Sequence, residues 1–141
     1  MPLAFLRAAH AGHAGHAGYR DARARFETRA LDVTADGAAD YVAGFDVVVA
    51  ADVLYDVEVA ACVGDALGAA VADAGAHVIV ADAGRRARDD FLAAFGARLG
   101  AGANARFRDW PVPAWCDDAA LADVFDGSPV RAVGLLEWDA T

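Results

Sequence analysis

The feature that most limits how this chain can fold is a switch of hydrophobic period, made twice. The run FDVVVAADVLY holds five consecutive apolar residues, Val47 to Ala51, three of them β-branched, between Gly44 and Asp56. Such a run reads as a strand of the kind buried on both faces of a parallel sheet. In VEVAACVGDALGAAVADAG, which follows, Val59, Cys62, Val63, Ala66, Leu67, Ala70 and Val71 recur at three-and-four spacing. That spacing predicts an amphipathic helix, with Asp56 as its N-cap and Gly75 as its stop. AHVIVAD is a second short β-branched run, and RARDDFLAAFGARLG puts Phe91, Leu92, Phe95 and Leu99 on one helical face. Strands separated by helices need crossover connections, which make the strands parallel neighbours, so the middle of the chain is expected to be α/β and doubly wound.

The flanks read differently. RFETRALDV predicts a half-buried first strand that stops at the cluster of Asp32, Thr34, Asp36 and Gly37. ARFRDWPVPAW predicts a strand ended by Pro111 and Pro113, and VRAVGLLEW a last strand; the two are expected to form an antiparallel edge. Residues 1–24 carry a His-Ala-Gly repeat, His10, His13 and His16, whose glycines weaken both helix and strand. Imidazoles so spaced suit a soft divalent ion, but the backbone preorganises nothing, so a loose arm without a metal site is expected before an α/β domain over 25–141.

A chain of 141 residues has room for one core, and 57% hydrophobic content places it outside the composition of disordered chains. No apolar stretch approaches the roughly 18 uninterrupted residues of a membrane span. A net charge of −9 opposes docking on phosphate backbones, which argues against nucleic acid. Lysine is absent, which closes P-loop, kinase and Schiff-base chemistry as well as a phosphoacceptor receiver domain. The single serine, Ser128, sits in a Gly-Ser-Pro turn and no GxSxG elbow exists, so an α/β-hydrolase is excluded. Cys62 and Cys116 stand apart without companions, which suits a reducing, cytoplasmic setting. No acid precedes Asp21 while Arg7 and Arg20 are basic, so a mitochondrial presequence is a weaker alternative.

In open α/β sheets ligands lie beyond the carboxyl ends of the parallel strands. The residues at those ends are acidic: Asp32 after the first expected strand, Asp52 with Tyr55 after the second, and Asp82 with Gly84 and Arg85 after the third. Each acid also has an ordinary use at a turn or helix start. Arg85, Arg86 and Arg88 read as a solvated face at a helix start.

With Asp52-Val53-Leu54-Tyr55 after one apolar run and Asp82-Ala83-Gly84-Arg85 after the next, the sequence resembles the seven-β-strand, S-adenosylmethionine-dependent methyltransferases of the DxxY-type protein lysine methyltransferase group. In that family an Asp-x-x-Tyr follows the fourth strand and a DPGR-like turn the fifth; here alanine replaces the proline. The DAGR turn is most similar to the branch of electron-transfer flavoprotein β-subunit lysine methyltransferases. ALDVT and VRAVGLLEW extend the likeness over roughly residues 25 to 138. The resemblance implies a Rossmann-like class I sheet, S-adenosylmethionine as cofactor and a protein lysine as acceptor. It implies that Asp52 orients the acceptor amine, that Tyr55 lines its pocket, and that Asp32, Ala51 and Asp52 lie at the cofactor.

The family's glycine-rich turn after strand one and the acid ending strand two have no counterpart here. The chain therefore resembles the C-terminal part of such an enzyme, a sheet lacking its first strands. Without them FDVVVAADV exposes a long apolar edge, to be covered by residues 25–33 or by a partner chain. A non-catalytic module that binds a partner is the alternative to an enzyme.

Overall fold

The computed structural model describes residues 29–113 and 132–139. The chain divides after Leu31, and the unit that begins at Asp32 carries the regular structure described below. Its elements run α1 (Ala38–Val42), β1 (Val47–Ala51), α2 (Val57–Ala74), β2 (His77–Asp82), α3 (Arg88–Leu99), β3 (Asn104–Pro111) and β4 (Ala132–Asp139).

The helix-forming stretches behave as their spacing predicts. Asp56 caps α2 by accepting from the backbone N–H groups of Glu58 at 2.9 Å and Val59 at 3.3 Å, and Gly75 closes the helix at φ 69. Small residues on α2 let α3 come close: a Cβ at Gly64 would strike the carbonyl of Phe91, and one at Gly68 would meet the Arg98 side chain. Phe91 and Phe95 on α3 are fully buried; Phe91 packs on Phe107 of β3 and Phe95 edge-on against Trp138 of β4. The core is thus one layer of two helices on one sheet face, with Leu54, Val78, Val80 and Leu136 beneath them.

The sheet is mixed, with strand order β1-β2-β4-β3. β1 and β2 are parallel and in register from Val47↔His77 to Ala51↔Ala81. β3 and β4 form the expected antiparallel pair along their full length, ending at Pro111. β4 meets β2 only at Ala81↔Leu135 and Asp82↔Gly134. This short seam joins the parallel half to the antiparallel half.

Three expectations need correction. The segment 29–33 is not a strand: Asp32 Oδ1 accepts from the backbone N–H of Thr34 at 2.9 Å and from its hydroxyl at 2.7 Å, and this local turn captures the backbone before a ladder can. Residues 25–28, like the His-Ala-Gly repeat and Cys116, lie outside the described residues. β1 is not buried on both faces, nor is the domain doubly wound among the described residues. α2 and α3 pack together on one side, and Val47, Val49 and Ile79 on the other remain more than half exposed. Apolar runs at alternating positions serve a one-faced sheet as well as a two-faced one, and sequence alone does not say which face lacks a cover. No helix of the described residues is long and apolar enough to cross a membrane.

Candidate functional site

The carboxyl ends of β1 and β2 lie side by side because the two strands are parallel and in register. β1 stops at Ala51, and Asp52 takes φ 51, a left-handed setting that aspartate tolerates better than most residues. The Asp52 N–H is held by the carbonyl of Ala81 at 2.8 Å, so the turn is pinned to β2. Leu54 then plunges into the core with no exposure, and Tyr55 is thrown outward, about half exposed. This up-and-down alternation brings Tyr55 back over Asp52, where its hydroxyl donates to Oδ2 at 2.7 Å. The bond to an anionic acceptor raises the Tyr55 pKa above its ordinary value, with burial and the negative charge of Asp52 adding to it, so the phenol stays a neutral donor.

The second loop, which bears the cation, arrives from β2. Asp82 is buried, and its Oδ2 accepts from the backbone N–H groups of Gly84 and Arg85, both at 2.8 Å. Gly84 at φ 90 turns the chain, and Arg85 reaches across to Asp52, Nε to Oδ1 at 3.1 Å and Nη2 to Oδ2 at 3.2 Å. The Arg85 guanidinium carbon lies 4.4 Å from the Tyr55 ring centroid, within cation–π range. The DVLY and DAGR segments, distant in sequence, are therefore in contact through Asp52 and Arg85.

The residues expected at the cofactor do not converge in the same way. Asp32 turns its carboxylate onto Thr34, and those two bonds lower its pKa. Ala51 is exposed at the end of β1, and Asp52 is held by Arg85 and Tyr55. No hydrogen bond or ion pair among the described residues joins Asp32 to Asp52. A cleft of about 470 Å³ opens elsewhere, lined by residues 33–39 with Ala61, Cys62, Asp65, Ala66 and Ala94; neither Asp52 nor Tyr55 borders it. Among the described residues, the carboxylates that the resemblance places at the cofactor are engaged within the chain, Asp32 with Thr34 and Asp52 with Arg85 and Tyr55.

Sequence reasoning underrated the arginines. Arg85 has a side-chain exposure of only 11%, and Arg88 is nearly as enclosed; only Arg86 of the three is exposed. The signal lay in composition: in a chain without lysine, an acid buried at a strand end must find an arginine. No family model, no curated protein and no solved structure matches the chain.

Proposed function

We propose that the chain is a methyltransferase-like module that acts by binding a partner chain, rather than by turning over a methyl donor on its own. The observation that carries this reading is the open face of the sheet. Val47, Val49, Ile79 and Leu135 stand exposed on it, with Val49 at 66%, and β1 is its edge strand. Among the described residues this apolar parallel pair has no second layer, which is unusual, because parallel strands are normally covered on both sides. Among the described residues the outer edge of β1 has no partner strand, and such an edge supplies backbone donors and acceptors that a partner strand can extend. Sedimentation of the purified chain, alone and in cell extract, tests it: a partner-binding module sediments as part of a larger species. A monomer that binds nothing at any concentration would overturn the reading.

A second reading is favoured by the contact between Asp52 and Arg85, which unites the two segments that carry the methyltransferase resemblance. In it the protein is a Rossmann-like, S-adenosylmethionine-dependent N-methyltransferase acting on a protein lysine. Methyl transfer from a sulfonium is an in-line displacement, so the protein's share is orientation and electrostatics. Asp52 would accept from the acceptor amine on the lone pairs that Arg85 and Tyr55 leave open, its carboxylate being 43% exposed. Tyr55 would hold that carboxylate in place through its neutral hydroxyl. Calorimetry with S-adenosylmethionine separates the two readings: heat of binding by the isolated chain supports the enzyme, and its absence at high donor concentration supports the module.

A further inference from the structure

At the carboxyl ends of β1 and β2 a carboxylate, a phenol hydroxyl and an aromatic face surround one flat cation. The guanidinium of Arg85 presents Nε and Nη2 to the two oxygens of Asp52, at 3.1 and 3.2 Å. It also lies against the Tyr55 ring at 4.4 Å, while the Tyr55 hydroxyl fixes Oδ2 from the side at 2.7 Å. Nη2 is also 3.1 Å from Oδ1, so two donors of one planar group share the carboxylate while a ring lies against it, an arrangement that suits a guanidinium better than a compact ammonium. The burial is asymmetric: the Arg85 side chain is 11% exposed and that of Asp52 is 43%. The cation is enclosed, and the anion that holds it is open to solvent. The receptor itself is rigidly mounted, since Asp52 sits at φ 51 with its N–H on the Ala81 carbonyl and Leu54 is fixed in the core. Its occupant sits between the Gly84 turn and the start of α3 with its backbone N–H held by Asp82 Oδ2 at 2.8 Å, so the exchange involves the Arg85 side chain alone.

We propose that Asp52 and Tyr55 form a guanidinium receptor that the chain's own Arg85 fills, so that an arginine-like cation from another molecule enters only by displacing Arg85. An exchange of this kind changes no covalent bond; one charge-assisted pair at Asp52 replaces another. It does not depend on whether the chain binds a methyl donor, so failure of the calorimetric test above leaves it standing. A resident occupant lowers the apparent affinity for a visitor by the fraction of time the seat is empty. If Arg85 fills the seat nine-tenths of the time, a visitor binds about tenfold more weakly to the native chain than to one lacking that side chain.

The test is nuclear magnetic resonance of the Tyr55 ring during titration with methylguanidinium chloride at constant ionic strength, with sodium chloride as the blank. Arg85→Gln, which keeps most of the side chain's volume, is expected to give a saturable shift at least tenfold tighter than the native chain. The shift is expected to vanish when Asp52→Asn is added. Equal affinity in native and R85Q chains, no saturable shift in a folded R85Q, or a shift that survives D52N would each overturn the proposal. The native chain supplies a second measurement that needs no variant. A cross-relaxation peak between the Arg85 Nε–H and the Tyr55 ring should be present and should fade as methylguanidinium is added. Its absence at the outset, or its persistence at saturation, would be decisive against a displaceable occupant.

Discussion

The guanidinium of Arg88 occupies the space that Gly134 leaves on the helix face of β4: a Cβ at position 134 would collide with Nη2 and lie 2.8 Å from Cζ. From that position Arg88 donates through Nε to Oδ2 of Asp82 at 2.7 Å, and through Nη2 to the Asp82 carbonyl at 2.8 Å. Through Nη1 it reaches Oδ1 of Asp109 at 2.9 Å. Asp82 belongs to β2 and Asp109 to β3, so one side chain ties the parallel half to the antiparallel half across the strand that joins them. The β2–β4 ladder is only two residue pairs long there, and the seam depends on this bridge.

Asp82→Asn is therefore expected to be among the most damaging single changes. The Asp82 side chain is wholly buried and its Oδ1 has no partner among the described residues, so the acid is already costly to bury and is compensated through Oδ2. Removing one partner of a buried pair typically costs about 3–5 kcal/mol, and because Arg88 keeps its bond to Asp109 the loss here is expected at the lower end of that range. Gly134→Ala should approach the same loss by displacing Arg88. Urea unfolding measures both, and a loss under 1 kcal/mol in both would show that the seam is held otherwise.

Tyr55 should ionise above its ordinary range, chiefly because its hydroxyl bonds to the Asp52 carboxylate. The sign follows from the raised value: the folded chain holds the phenol proton more tightly than the unfolded one. That stabilisation is complete below the unfolded pKa and is lost as pH rises through the folded one. In Asp52→Asn the ring should titrate closer to the ordinary value near 10. Carbon chemical shifts of the Tyr55 ring across the alkaline range check it, and an identical midpoint in the two chains would refute the bond.

α2, α3 and β2 were legible in the sequence because their signals are local, whereas the short α1 (Ala38–Val42) was not expected. Asp56 and Gly75 are cap residues at the two ends of one apolar period, and Val78 and Val80 alternate within six residues. What sequence did not reveal is set by distant groups. Asp32 looked like a strand end, but Thr34, two residues on, bonds its carboxylate and makes a turn. Asp82 read as a ligand-side acid, yet its use is structural, because Arg88 comes to lie beside it only when α3 docks. Arg85 read as solvated because an arginine run carries no periodicity that distinguishes an enclosed guanidinium from an exposed one. The Asp52–Tyr55 pair was the one part of the site whose spacing carried geometry, since a single buried residue between them, Leu54, returns the chain over itself.

Asp65 on α2 and Arg98 on α3 form a two-pronged pair at 2.6 and 2.8 Å, which lowers the Asp65 pKa. A depressed carboxylate adds stability above its unfolded pKa and loses it as pH falls through the folded one. Acid unfolding of Asp65→Asn should accordingly show a shallower loss of stability below about pH 4 than the native chain. Both side chains are nearly half exposed, so the difference at neutral pH is expected to be small. Parallel acid limbs in the two chains would show that the pair does not act.

Leu54 and Ile79 offer a direct contrast between the covered and the open sides of the fold. Leu54 is fully buried in the helix-side core, whereas Ile79, in the middle of β2, is 52% exposed on the opposite face. Truncating a buried leucine loses its transfer free energy and leaves a cavity, so Leu54→Ala should cost about 2–5 kcal/mol. Ile79→Ala removes a side chain already half in water and leaves no cavity, so its cost should stay near 1 kcal/mol or below in the isolated chain. Where a partner covers the open face, the order changes. Ile79→Ala then weakens the complex while leaving the isolated domain folded, and Leu54→Ala weakens both. Unfolding and sedimentation measured on the same two variants separate the cases. An Ile79→Ala chain that unfolds as readily as Leu54→Ala would mean that the face is covered within a single chain, against the exposed side chains on which the partner-binding reading rests.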